Sequence, residues 1–412
     1  MSGAGGAPGH SPEGAQGIVV VLAVTLLVQV LIAFAFTVPA VMAPQVAGDL
    51  GVAPESLGLY MLLTGVAAMV MSPFIGGYIH RFGAFRINQA GVLLVALSML
   101  AGALGWIPML LASAVLLGIG QTTAMPTAAH LLARVTPAHR LGVVLSIRQA
   151  GMPLGASLAG LIVPALLLVT DWRYALVLFA LVLLAAVLAE APMQSRVEGG
   201  SHRPTGAPSA RLPALMRSLM ANPGLRAISI GSFSYTFAQM SLMAFLVSYL
   251  NLELGYSLAS AGAVMALSQG AALFARLFWG WVADRCGDSF LVMALLGVAS
   301  ALLSVATGLV TPAWPVWLVC LLAMALGATL TSWNGVYAGA VVRLSPQGEA
   351  GAMMGASNVL GYAGMLLGPP AGAIGVSLTG TYAASFFLGA LVILPAAWVL
   401  WEVRRHPRLH PH

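Results

Sequence analysis

Twelve long apolar runs, almost free of charge, govern what this chain can fold into. They cover approximately residues 18–42, 56–79, 87–107, 109–133, 141–169, 173–190, 225–250, 257–282, 290–310, 314–342, 350–375 and 380–402. A bilayer core about 30 Å thick needs roughly 20 mostly apolar residues per helix, so each run is read as one crossing. The runs are continuous, whereas the strands of a spanning β-barrel alternate apolar and polar positions, so the expected class is an all-α integral membrane protein. Only 7% of the residues are charged and 60% are hydrophobic. Soluble domains carry about 25% charged residues, so a water-soluble fold is excluded.

The charges are placed asymmetrically. All 17 basic residues are arginine, against 11 acids, for a net charge of +6. A chain without lysine has no lysine-rich patch for nucleic acid, and no nucleic-acid partner is expected; the balance is read against a membrane. Cytoplasmic loops collect basic residues. With both termini cytoplasmic, Arg81, Arg86, Arg134, Arg140, Arg285, Arg343 and the arginines of 191–226 and 404–408 fall inside, and only Arg173 falls outside. The expected location is the plasma (cytoplasmic) membrane, multi-pass, among membrane lipids.

The organisation follows from the breaks in hydrophobicity. Residues 1–17 read as a flexible cytoplasmic N-terminus, and the run after them is too long for a signal-peptide core, so it is expected to stay as the first span. Residues 191–224, rich in proline and glycine, read as a cytoplasmic linker between two six-helix bundles at 18–190 and 225–402; residues 403–412 form a basic tail. Cys286 and Cys320 have neither disulfide nor metal spacing, so neither a disulfide framework nor a metal site is expected; no cofactor is expected either.

The halves repeat. Gly76-x3-His80-Arg81-x-Gly83 follows the second span, with Arg86 beyond it, and Gly280-x3-Asp284-Arg285-x-Gly287 follows the eighth, 204 residues later. Duplicated six-span halves suggest a secondary transporter with its substrate near the midplane between them. On these two turns and the glycine-rich fifth span (Gly151, Gly155, Gly160), the chain resembles the major facilitator superfamily from about residue 18 to 402. The resemblance implies twelve transmembrane helices in two pseudo-symmetric bundles, alternating access, a monomer, and a cytoplasmic gate at the two turns. His80 stands where the family usually has Asp, which makes that latch either titratable or simply a solvated interfacial residue. Asp171-Trp172-Arg173, at the start of the sixth span, also resembles a family signature, with the aromatic expected at the interface and the charges at the helix end.

Two arginines lie within the spans. An intramembrane charge costs several kcal/mol unless it meets water or a partner. Arg276 sits about 14 Å inward from Arg285, and Arg148 about 12 Å inward from Arg140, while all eleven acids lie near span ends or in loops. Buried cations without a buried anion favour an anionic substrate, because guanidinium pairs carboxylate bidentately. The other reading is that each snorkels to the interface and binds lipid phosphate. Around Arg276 the eighth span resembles monocarboxylate and oxalate/formate-type carriers, where such an arginine contacts the carboxylate. The aspartate that the proton-coupled members place four residues earlier is Ala272 here.

Polar side chains at similar depth complete the candidate binding set: Gln29, Gln121, Gln149, Gln239, Trp333, Asn334, Asn358 and Tyr362. Tyr235 and Gln269 lie at that depth too, and interhelical bonding is the other role open to each. No phosphate loop, zinc-protease helix or nucleophile elbow is present, so the drive is expected from a solute or ion gradient, with a coupled proton or counter-solute, and the chain is not expected to be an enzyme. The expected function is transport of a small organic anion such as a carboxylate. The alternatives are proton-driven efflux of drugs or neutral metabolites, and, from other classes, a membrane-embedded enzyme or a non-transporting sensor.

Overall fold

The computed structural model describes residues 12–136, 144–145, 147–190, 212–346 and 350–405. In a bilayer the backbone must bond within its own segment, and the apolar runs accordingly become helices. In the first half these are span 1 (Pro12–Leu50), span 2 (Leu57–Phe82), span 3 (Ala84–Ala103), span 4 (Ile107–Thr122, resuming as Ala124–Val135), span 5 (Ile147–Leu167) and span 6 (Trp172–Glu190). The second half has span 7 (Pro223–Ser248, ending in a π-turn Tyr249–Glu253), span 8 (Leu258–Cys286) and span 9 (Ser289–Gly308). Span 10 (Val316–Leu330, resuming as Asn334–Leu344), span 11 (Ala350–Thr379) and span 12 (Ala383–Arg405) complete it. Eleven of these are long and apolar enough to cross a membrane, and span 2 contributes the apolar stretch Leu57–Ser72. An even number of crossings puts Pro12 and Arg405 on one face, called here the terminal face.

Two segments expected to be irregular are helical. Residues 12–17 already belong to span 1, and Leu212–Ala221, within the stretch read as linker, is a short helix. Its Leu215, Met216, Leu219 and Met220 form an apolar stripe that packs onto the C-terminal core, with Leu219 fully buried. Asn222 then caps span 7 by accepting from the N–H groups of Gly224 (2.9 Å) and Leu225 (3.1 Å). The rest of that stretch, 191–211, and residues 1–11 and 406–412 lie outside the described residues.

Each half is tied at the face away from the termini by an acid closing its first span onto its last. Asp49 accepts from Trp172 Nε1 at 2.7 Å and pairs with Arg173 at 3.4 Å. Trp172 is therefore fully buried, not interfacial as expected, because Asp49 supplies the acceptor its indole needs in the core; Arg173 lies over the ring at 4.3 Å. Glu253, 204 residues after Asp49, accepts from Thr381 Oγ1 (2.5 Å) and the Tyr382 N–H (2.7 Å).

The halves meet along spans 1 and 7, 2 and 11, and 5 and 8. Backbones touch at Gly160 and Gly262: a Cβ on Gly160 would fall 2.6 Å from the Gly262 carbonyl, and one on Gly262 would fall 2.2 Å from the Gly160 carbonyl. Only glycine permits that approach. Along the line Gly58, Gly65, Met69, Ser72 and Gly76 of span 2, the first two residues press on Ala373, Pro369 and Leu366 of span 11. The last three, nearer the terminal face, are exposed, as are Tyr362 and Gly355 on the matching line of span 11. Phe36, Met61, Met240, Met243, Met365 and Pro369 line a small pocket between the halves. Spans 2 and 11 are thus in close contact away from the termini and carry exposed residues on their facing lines toward them.

Candidate functional site

Span 10 stops at Leu330 and restarts at Asn334, which frees backbone carbonyls inside the membrane. Span 8 supplies donors to them. Trp279 Nε1 donates to the Ala328 carbonyl at 2.9 Å, and Arg276 Nη2 donates to the Thr331 carbonyl at 3.1 Å. In return Ser332 Oγ, in the break, donates to the Ala272 carbonyl at 3.2 Å. Gly327 makes this approach feasible, since a Cβ there would lie 2.0 Å from the Ser268 carbonyl oxygen.

The other arm of Arg276 crosses between the halves: Nη1 donates to the Gln149 carbonyl of span 5 at 3.2 Å. Its Nε is buried without a partner, and among the described residues its hydrogen-bonding partners are both neutral carbonyls. A guanidinium held between the two halves and, among the described residues, bonded only to carbonyls has donor capacity and positive charge to spare.

Arg148 is placed differently. It is fully buried inside the first half, where Nη2 donates to the Ala124 carbonyl (2.8 Å) and Nη1 to Met125 Sδ (3.3 Å), just after the break in span 4. Among the described residues its Nε is also unpaired, as is the amide Nε2 of Gln121 beside the same break. Both intramembrane arginines therefore support discontinuous helices in repeat-equivalent spans, but only Arg276 also bonds across the halves.

The remaining candidates fall into groups. Trp333, in the span 10 break, donates Nε1 to Gln239 Oε1 at 3.2 Å and stacks on Tyr235 with ring centroids 5.4 Å apart. Asn334 reaches back toward the Thr331 carbonyl at 3.5 Å. Asn358 Oδ1 lies 3.1 Å from the Tyr337 hydroxyl, which also bonds Ser357 Oγ at 2.8 Å, and Ser357 Oγ meets Ser229 Oγ at 2.7 Å. Gln29 packs against Gly151 of span 5 in the first half. Tyr362 is half exposed where spans 2 and 11 part. Sequence reasoning passed over Trp279, Tyr337, Ser357 and Ser229; Trp279 had a usable signal, being one helical turn beyond Arg276 on the same face.

At the terminal face, Gly83 and Gly287 turn the chain with φ of +89° and +65°. Arg81 lies over Phe82 and Arg285 over Trp281, while Arg86 is exposed. Asp284 pairs with Arg343 of its own half at 3.4 Å, both exposed, and Gly280 and Gly76 have open space where a Cβ would stand. Asp288 caps span 9 and holds Arg404 at 2.6 Å. The His80 side chain lies outside the described residues.

Twelve helices in two repeated bundles that meet along paired spans have the architecture of a membrane transporter built from two halves. The chain belongs to the Major Facilitator Superfamily, whose model matches residues 25–369 and again 228–412. That family consists of transporters for small molecules and not of enzymes. An MFS-type transporter of Aspergillus fumigatus is 30% identical over 79% of this chain and 78% of its own length. The hexuronate transporter of Bacillus subtilis is 24% identical over 88% of this chain and 89% of its own. A bacterial homologue of the human lysosomal transporter Spinster, solved inward-facing and occupied, superposes with a TM-score of 0.75 over 98% of this chain and 100% of that one, at 17% identity, a likeness of fold.

Proposed function

We propose that this transporter carries a small organic anion, a carboxylate, by alternating access, with Arg276 as the anion contact. One observation carries the reading: the Arg276 guanidinium spans the junction of the two halves and, among the described residues, is bonded only to carbonyls and has its buried Nε unpaired. A carboxylate supplies the missing charge and accepts bidentately, at a point where both halves feel its arrival. Arg148 adds positive potential from within the first half, and Gln149, Trp333, Asn334, Gln239 and Asn358 orient the ligand. Gln121, Gln29 and Tyr362 line the approach. The hexuronate carried by the Bacillus subtilis relative is itself a carboxylate. The turns at Gly76–Arg86 and Gly280–Gly287 form the gate, the terminal face is cytoplasmic, and the protein acts as a monomer in the plasma membrane.

The test is uptake of labelled mono- and dicarboxylates by proteoliposomes, with and without an inward proton gradient, for wild type and Arg276→Gln. Saturable uptake lost in the variant is the expected result, and the gradient response reports coupling. Uptake indifferent to Arg276 sinks its role and moves the substrate to uncharged compounds.

A further inference from the structure

Span 8 carries a second buried donor in line with Arg276. Gln269 precedes it by seven residues, two helical turns, so the two lie about 20° apart around the helix and about 10.5 Å apart along it. Gln269 is 3% exposed, and its amide Nε2 has no acceptor among the described residues. The opposite side of the same helix presents Phe274, Leu277, Phe278 and Trp281, all more than half exposed. Gln269 and Arg276 therefore look inward, between the face of span 8 that meets span 5 through Gly262 and Ala266 and the face that meets span 10 through Ser268 and Ala272.

Both unpaired groups, Arg276 Nε and Gln269 Nε2, are donors. Buried polar groups in native proteins find partners, so a pair of aligned orphan donors calls for an acceptor the chain does not itself supply. Resting on the anion reading of Arg276, we propose that Gln269 is a specificity-determining contact for the far end of the same ligand. The preferred substrate is then an acid that carries hydroxyl or carboxyl oxygen at a distance from the carboxylate held by Arg276. The two side chains leave span 8 two turns apart, so the second oxygen stands well away from the carboxylate that Arg276 holds. A short unsubstituted acid reaches Arg276 alone.

The experiment uses full-length protein in proteoliposomes and reads KM for labelled glucuronate and the inhibition constant of unlabelled propionate. Gln269→Leu is expected to raise the glucuronate KM about tenfold and to leave the propionate constant within twofold; Gln269→Asn, which keeps a shorter amide, falls between. A glucuronate KM unchanged in Gln269→Leu, or equal losses for both acids in a monodisperse preparation, overturns the Gln269 contact and leaves Arg276 standing, the orphan amide then being satisfied by water. If the leucine variant does not stay monodisperse, the asparagine variant decides by the same comparison. Arg276→Gln with undiminished affinity for both acids overturns the anion reading itself.

Discussion

Arg276 and Trp279 stand one turn apart on span 8 and donate to the carbonyls of Thr331 and Ala328, three residues apart at the break of span 10. Matched spacing on two helices turns a discontinuity that hydrocarbon would not tolerate into a bonded junction. The residue proposed to meet the ligand is thus part of the scaffold that holds the break.

Trp279→Phe removes the indole donor and leaves the Ala328 carbonyl without it. A buried acceptor left unsatisfied costs about 1–3 kcal/mol, so the variant should melt several degrees lower in detergent while retaining residual uptake. Thermal unfolding of wild type and variant, side by side, checks this; an unchanged melting curve would mean the bond contributes nothing.

Arg276→Lys keeps the charge but not the fork that reaches Gln149 and Thr331 together. Carboxylate uptake is expected to fall by at least tenfold, mainly through KM, with partial retention relative to Arg276→Gln. Equal activity of lysine and arginine in initial-rate measurements contradicts a bidentate role.

Gly160→Val places a branched side chain where a single Cβ already meets the Gly262 carbonyl at 2.6 Å. The seal between spans 5 and 8 should fail to close, with uptake abolished at normal expression. Distance measurements between spin labels on the two halves should show a wider separation on the face away from the termini; an unchanged separation with intact uptake refutes the tight contact.

Asp49→Ala and Glu253→Ala should behave alike, because the two acids are repeat-related and each closes its half from first span to last. Each loss is expected to cost about 1–3 kcal/mol, since Trp172 Nε1 or the Tyr382 N–H loses its acceptor. Expression and melting temperature of both variants report it, and tolerance of either without loss argues against the clamp.

Cys286 is exposed at the terminal end of span 8. If that face is cytoplasmic, a membrane-impermeant maleimide should label it in inside-out vesicles and not in intact cells. The reverse pattern inverts the topology.

Much of the architecture was legible from the residues in order. Apolar run length sets helix crossings because backbone groups in hydrocarbon have no other partner, and the 204-residue recurrence of the glycine-arginine turn exposed the duplication. The same offset relates Asp49 to Glu253, yet their function as clamps was not readable, since their partners Trp172 and Tyr382 lie more than a hundred residues away. The helicity of Leu212–Ala221 was masked by the prolines and glycines around it, although its apolar stripe was present.

By itself the sequence determined the class of solvent, the number of crossings, the duplication and the presence of two arginines too deep to be ordinary. Depth along a helix follows from counting residues, but the direction and company of a side chain do not. Tertiary structure decided that Arg148 is packed away beside Met125 and that Arg276 reaches from one half to the other. That distinction arises from the meeting of spans 5, 8 and 10, which no local pattern specifies, because contacts between helices in a membrane depend on close packing of small residues and on bonds across distant segments.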